Sequence, residues 1–363
     1  MHDMHMEHCE MPASTSSSRV VEFPLDWPGS KEKGHAGPAC HPTGGGSTHE
    51  IIYDRNGGTV FWVSGQAYDC IARVTLDGEA EYFKMDEGRA PHGMAYDHEG
   101  RLWLTFEGTG HLAQIGTDGK VVGDPVDVAI YPSTGGRINT RPHGLGVASD
   151  GALWFTGKLT NTMGRVTGRE VQHFALPTFG AVPIYIAAGA DGDVWCTALS
   201  NGRIGHVTRD GIATDYPIPT GNSRPIAIVP APDGKAFWFT EEAGGKVGRI
   251  DLPFDPKRPF VEFPVPLTQS NAILGALAFD KDGALWVQQY VNPPGGGAMP
   301  TANDYIVKLT GIEQAQDGDM TGVGIEYFKA PSKGSVMHRI IQGPDGNIWF
   351  TELGLNQVGR VAL

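Results

Sequence analysis

The chain has 363 residues, 51 of them glycine, a share roughly twice the usual one. Its formal charge is −13, from 28 basic against 41 acidic residues, which excludes the basic footprint of a nucleic-acid or anionic-membrane partner. No apolar run reaches the roughly 18 residues a transmembrane helix needs, and residues 1–11, carrying His2, Glu7, His8 and Glu10, do not read as a secretory signal.

Four scattered cysteines, Cys9, Cys40, Cys70 and Cys196, lack CxxC spacing, so reduced thiols in a cytoplasmic protein are expected. Residues 1–18 include His2, His5, His8 and Cys9. Such a tract can chelate copper or nickel, and it is expected as a disordered tail ahead of one domain over 19–363. Val21-Glu22-Phe23-Pro24-Leu25 then reads as a lone outer strand, and Lys31–Gly46, with His35, Cys40 and His41, as a linker able to cap the domain.

From there the chain repeats itself. Trp62, Trp103, Trp154, Trp195, Trp238, Trp286 and Trp349 share one frame, with gaps of 41, 51, 41, 43, 48 and 63 residues. A turn dipeptide such as Asp150-Gly151 or Asp345-Gly346 precedes each Trp, as a tight hairpin requires. A small-then-polar pair follows ten residues later, as in Ala72-Arg73, Gly164-Arg165, Gly205-His206, Gly248-Arg249 and Gly359-Arg360. In the sixth repeat Val307-Lys308 takes that place, displaced by the Pro/Gly-rich insert Asn292–Asn303, which is long enough to overhang one face. Outer strands such as Glu81-Tyr82-Phe83 and Glu262-Phe263-Pro264 complete the unit. Four short strands per repeat predict an all-β, seven-bladed β-propeller. The last repeat ends at Leu363 without its outer strand, so the N-terminal strand should close the last blade.

Eleven residues before the Trp, each inner strand begins near the central channel. His92, His143 and His338 stand there, and His49 is their counterpart in the first repeat. After ring closure these four come from consecutive blades, while Ile184, Ile226 and Gly275 give the other three an apolar side. One such His reads as a side chain bonded to a neighbouring carbonyl; four together read as bases and metal ligands. Glu107, Glu241 and Glu352 follow their Trp residues. Glu107 falls one residue later than the others and shares a blade with His92, whereas Glu241 and Glu352 read as candidates for surface solvation.

The run from Pro142-His143-Gly144-Leu145 through Asp150-Gly151-Ala152-Leu153-Trp154-Phe155-Thr156 to Met163-Gly164-Arg165 resembles the virginiamycin B lyase (streptogramin lyase) family, as does Asp345–Glu352 with Val358-Gly359-Arg360. The similarity covers all seven repeats. Members of that family are magnesium-dependent lyases that open a cyclic depsipeptide by elimination, without water. The resemblance implies His92 as general base, His49 as the His of the preceding blade, Glu107 as the metal carboxylate, and His143 where the family has a Tyr. Ala90 stands where a second metal-binding Glu would be. Magnesium is thus the cofactor by resemblance. The wider imidazole set of His49, His92, His143 and His338 with Glu107 suits a divalent transition metal such as manganese, iron or zinc.

The leading expectation is therefore a metal-assisted carbon–oxygen lyase acting on a small carbonyl substrate, a cyclic ester or depsipeptide, in a monomer with no nucleic-acid or membrane partner. A metal-dependent hydrolase or lactonase is the rival enzyme, and a non-haem iron oxygenase would also use four His. A non-catalytic propeller binding a ligand or a protein stays open as another class.

Overall fold

The computed structural model describes residues 19–30, 47–56, 58–291 and 303–363. The expected tail, the linker Lys31–Gly46 and residues 292–302 of the insert lie outside the described residues. Among the described residues, no helix is long and apolar enough to cross a membrane.

Seven four-stranded antiparallel sheets are formed, one for each Trp frame. Their inner strands are Thr48–Tyr53, Pro91–Tyr96, Pro142–Val147, Pro183–Ala188, Pro225–Pro230, Ala272–Phe279 and Met337–Gln342, numbered below as blades one to seven. Each inner strand packs on the next, and the seventh on the first, so the sheets form a closed β-propeller. Val20–Pro24 pairs with Gln357–Val361 and supplies the outer strand of blade seven. The first and last strands of the chain therefore share one sheet, and Gln357–Val361 is covered by Val20–Pro24 and not left as an edge strand.

The repeated residues have direct packing causes. Trp and the polar residue ten or so positions later are cross-strand partners: Trp62 with Arg73, Trp154 with Arg165, Trp238 with Arg249, Trp286 with Lys308 and Trp349 with Arg360. The guanidinium carbons of Arg73, Arg249 and Arg360 lie 5.4–5.6 Å from the indole centres, and Lys308 Nζ 5.1 Å from that of Trp286. His206 instead stacks on Trp195 at 3.9 Å. These are cation–π and stacking pairs on a mostly buried indole. The small residue before the cation lies under an aromatic ring: a Cβ at Gly248 would meet Phe239 at 2.0 Å, and one at Gly359 would meet Phe350 at 2.1 Å.

A second repeated device aims residues at the channel. Every inner strand slips register against its neighbour near its start, as between Pro91 and Met94 or Met337 and Ile340. Such bulges re-aim side chains. The N–H released by the bulge is caught by the hydroxyl two residues after the Trp, which also reaches the next blade. Thr105 accepts from Gly93 N and donates to the His143 carbonyl. Thr156 links Gly144 to Ile184, Thr197 links Tyr185 to Ile226, and Thr351 links Arg339 to His49. Gln288 does the same between Ala276 and Arg339. Adjacent inner strands are thus clamped by buried side chains at the level where the histidines sit.

Candidate metal and catalytic site at the channel mouth

The bulges bring all four predicted histidines together. The ring of His92 lies 3.7 Å from that of His143, 5.0 Å from His49 and 5.5 Å from His338, centre to centre, and His49 lies 4.9 Å from His338. His49, His92 and His143 are buried, and His338 is partly covered. Burial holds the pKa of His92 well below the usual imidazole value, reinforced by the mutual repulsion of His143, His49 and His338 and by Lys158. Burial, then Lys158 and the other rings, does the same for His143. Burial and His49 lead for His338. Neutral imidazoles are what a base or a metal ligand must be.

Orientation comes from their surroundings. His49 Nδ1 lies 2.8 Å from the Ser47 carbonyl, which can only accept, so Nδ1 carries the proton and Nε2 the lone pair. Neither ring nitrogen of His92 has a hydrogen-bond partner, nor does Nδ1 of His143. Buried and unsatisfied nitrogens are uncommon and mark places where a ligand is received.

Glu107 joins them. One carboxylate oxygen can lie within 4.8 Å of ring nitrogens of both His92 and His143, and His49, His92 and His338 form a second such group. The two groups together contain every residue expected at the site, and they share His92. Glu107 is 5% exposed, and its two oxygens are engaged separately: Gln66 Nε2 donates to Oε2 at 2.8 Å and Lys158 Nζ to Oε1 at 3.1 Å.

Several residues of this site were not foreseen. Four positions past successive Trp residues stand Gln66, Glu107, Lys158, Leu199, Glu242, Tyr290 and Leu353. Counting that far would have joined Gln66 and Lys158 to Glu107. It also shows that the counterpart of Glu107 is Glu242 and not Glu241. One position after the first-repeat His and its counterparts stand Glu50, Gly93, Gly144, Tyr185, Ala227, Ala276 and Arg339. Tyr185 spans the channel, its hydroxyl donating to the His338 carbonyl at 3.1 Å and lying 3.3 Å from His338 Nδ1. Arg339 lies over the Tyr185 ring at 4.3 Å and pairs with buried Glu50.

Two expectations are corrected. The side opposite the histidines is not uniformly apolar. Ile184, Ile226 and Gly275 hold the expected positions, but Arg224 Nε donates to Glu242 at 2.7 Å and the Tyr290 hydroxyl to Glu242 at 3.1 Å. Nor are Glu241 and Glu352 solvated, because both are fully buried. Burial, with Glu262 next, pushes the Glu241 pKa up to about 8; burial and then Glu22 raise that of Glu352.

The arrangement supplies neutral imidazoles, one buried carboxylate and one ammonium around a common point. The sequence model of the virginiamycin B lyase family matches residues 40–295. A virginiamycin B lyase from Nocardia farcinica (strain IFM 10152) is 33% identical over 165 residues, 45% of this chain and 53% of that protein, so the chain spans about half the length of this curated relative. Among solved structures, a streptogramin B lyase superposes with a TM-score of 0.70 at 22% identity, covering 94% of this chain and 96% of the other. A catalytically inactive His-to-Ala virginiamycin B lyase from Staphylococcus aureus, with quinupristin, gives 0.71 at 23% identity over 95% and 99%. At those identities the structures show the shared fold, and the match over residues 40–295 carries the membership: this chain belongs to the virginiamycin B lyase family.

Proposed function

We propose that this protein is a metal-assisted lyase that removes a proton α to a substrate carbonyl and expels the β-oxygen substituent. The observation that carries this is His92. It is a buried imidazole held neutral, with both nitrogens unpartnered, set among His49, His143 and His338 and within reach of Glu107.

In this reading His92 takes the α-proton, the electron pair moves into a new alkene, and the carboxylate leaving group departs from the β-carbon. No water enters, so a cyclic ester opens with unchanged mass. His49 and His338 border His92 and keep it desolvated. Tyr185, bonded to the His338 carbonyl, and the Glu50–Arg339 pair hold the ring of His338 in place beside them.

The donor set fits a divalent cation, since Glu107 offers a carboxylate and His143 an Nδ1 without a partner. Glu107 and His143 would hold it beside His92, whereas His49 and His338 group with His92 and not with Glu107. Bound there, a cation polarises the carbonyl and acidifies the α-proton. One carboxylate among imidazoles favours manganese, iron or zinc over magnesium.

The test is a mass-resolved assay on quinupristin and on simple cyclic esters. A ring-opened product of unchanged mass with a conjugated alkene, lost in His92→Ala and after EDTA, supports the lyase. A product heavier by one water supports a lactonase, and full turnover by His92→Ala removes His92 as the base.

A further inference from the structure

We infer that Lys158 is a substrate-binding residue held in reserve by Glu107. When a divalent cation occupies the Glu107 carboxylate, the ammonium is released to bind a carboxylate on the substrate. This rests on the metal-assisted reading above and specifies its substrate class, an anionic carbonyl compound.

The geometry leaves Lys158 few alternatives. Its Nζ donates to Glu107 Oε1 at 3.1 Å while Gln66 occupies Oε2. Its side chain is 25% exposed, against 6% for Glu107, so Lys158 reaches from the buried carboxylate toward solvent. The backbone N–H of Lys158 is anchored on the Arg141 carbonyl at 3.4 Å, and that of Leu159 on Thr140 at 3.0 Å. The stem is therefore fixed at its base and free to swing at its tip, as a four-carbon lysine chain allows.

A dication and an ammonium cannot both sit on one carboxylate oxygen without strong repulsion at low dielectric. Cation binding at Glu107 therefore displaces Lys158 from its only ion-pair partner among the described residues. The groups left around it are neutral imidazoles, which cannot balance its charge. A partly buried ammonium without an anion is unfavourable, and a carboxylate on the ligand repairs this. Metal and anion then help each other bind, and the linkage is reciprocal.

The experiment titrates metal-free full-length protein with Mn2+, following free Mn2+ by electron paramagnetic resonance, with and without saturating succinate. In the wild type, succinate should tighten Mn2+ binding by about fivefold or more, the low end of ordinary coupling. Lys158→Met, lacking the competing ammonium, should bind Mn2+ about tenfold more tightly without succinate and show no succinate effect. Lys158→Arg should retain the coupling, and Glu107→Gln should lose Mn2+ binding. An unchanged Mn2+ affinity in folded Lys158→Met, or a succinate effect that survives there, overturns the inference and leaves the lyase reading standing. Absence of Mn2+ binding in both wild type and Lys158→Met removes the metal reading, and this inference with it. Should Lys158→Met fail to fold, the wild type decides: succinate that leaves its Mn2+ affinity unchanged overturns the inference.

Discussion

The hydroxyl of Thr351 donates to the carbonyl of His49 at 2.7 Å, across the junction between the last blade and the first. The same oxygen accepts from Arg339 N at 2.9 Å. One buried side chain thus fixes two neighbouring bulges, one presenting His49 and the other His338. Thr351→Val keeps the shape and removes both bonds, leaving the Arg339 N–H without this acceptor and the His49 carbonyl with one donor fewer. It should cost about 1–3 kcal/mol, and Thr351→Ser should recover most of it. Urea unfolding of the three proteins decides; a Thr351→Val midpoint equal to wild type would remove the clamp from the account.

Gly93 follows the candidate base and lies against the next blade. A Cβ built there stands 2.2 Å from the His143 carbonyl oxygen, and backbone on both sides gives no easy relief. Gly93→Ala should push the second and third inner strands apart at about 3 kcal/mol in stability, the upper end of ordinary overpacking. His92 and His143 should separate with them, so Mn2+ affinity should fall together with the unfolding midpoint. Retained Mn2+ affinity at lowered stability would show that the histidines are positioned without Gly93.

The contribution of Glu241 to stability should decline as the pH rises from about 4.5 to about 8, against the opposite contribution of His92, His143 and His338, whose lowered folded pKa values favour the fold as the pH rises toward 6.5. Glu241 has a folded pKa raised to about 8, chiefly by burial and then by Glu262. Across that window the unfolded chain releases a proton that the folded one keeps. The contribution is fully present below the unfolded pKa and is lost as the pH passes through the folded one, with a slope of about 1.4 kcal/mol per pH unit for one proton at most. Glu352 is shifted in the same direction. Relative to wild type, Glu241→Gln should lose this falling contribution in urea titrations at several pH values, and Glu241→Gln with Glu352→Gln should lose more of it. An unaltered slope in the double variant would assign the pH dependence elsewhere.

The blades were legible because their signals are local: a hairpin dipeptide, a Trp, and a Gly-Arg pair that meets the Trp directly across one ladder. His49, His92, His143 and His338 were legible because each blade repeats the same offset from its Trp. What escaped has a different cause. Lys158, Gln66 and Glu242 stand four residues past the Trp, where each blade carries a different chemistry and no single pattern repeats. Glu107 was found through its blade, yet its partners come from the blades on either side, and only the closed ring brings them together. Glu241 and Glu352 look like surface acids in the sequence because burial is set by the outer strands folded over them.

Next to His338 the half-buried Arg339 guanidinium pairs with buried Glu50 and covers the Tyr185 ring at 4.3 Å. Glu50 is 2% exposed, and burial raises its pKa against the opposing charge of Arg339. Arg339→Met leaves that carboxylate without its countercharge and strips the cover from Tyr185, whose hydroxyl holds the His338 carbonyl. The expected loss is about 3–5 kcal/mol, as for a buried pair broken from one side. Removing both charges in Glu50→Leu with Arg339→Met should cost less than Arg339→Met alone, because the desolvated carboxylate disappears. Calorimetric unfolding of the single and double variants reads this directly. A double variant less stable than the single one would mean that the pair stabilises the fold on its own, beyond compensating for its own burial.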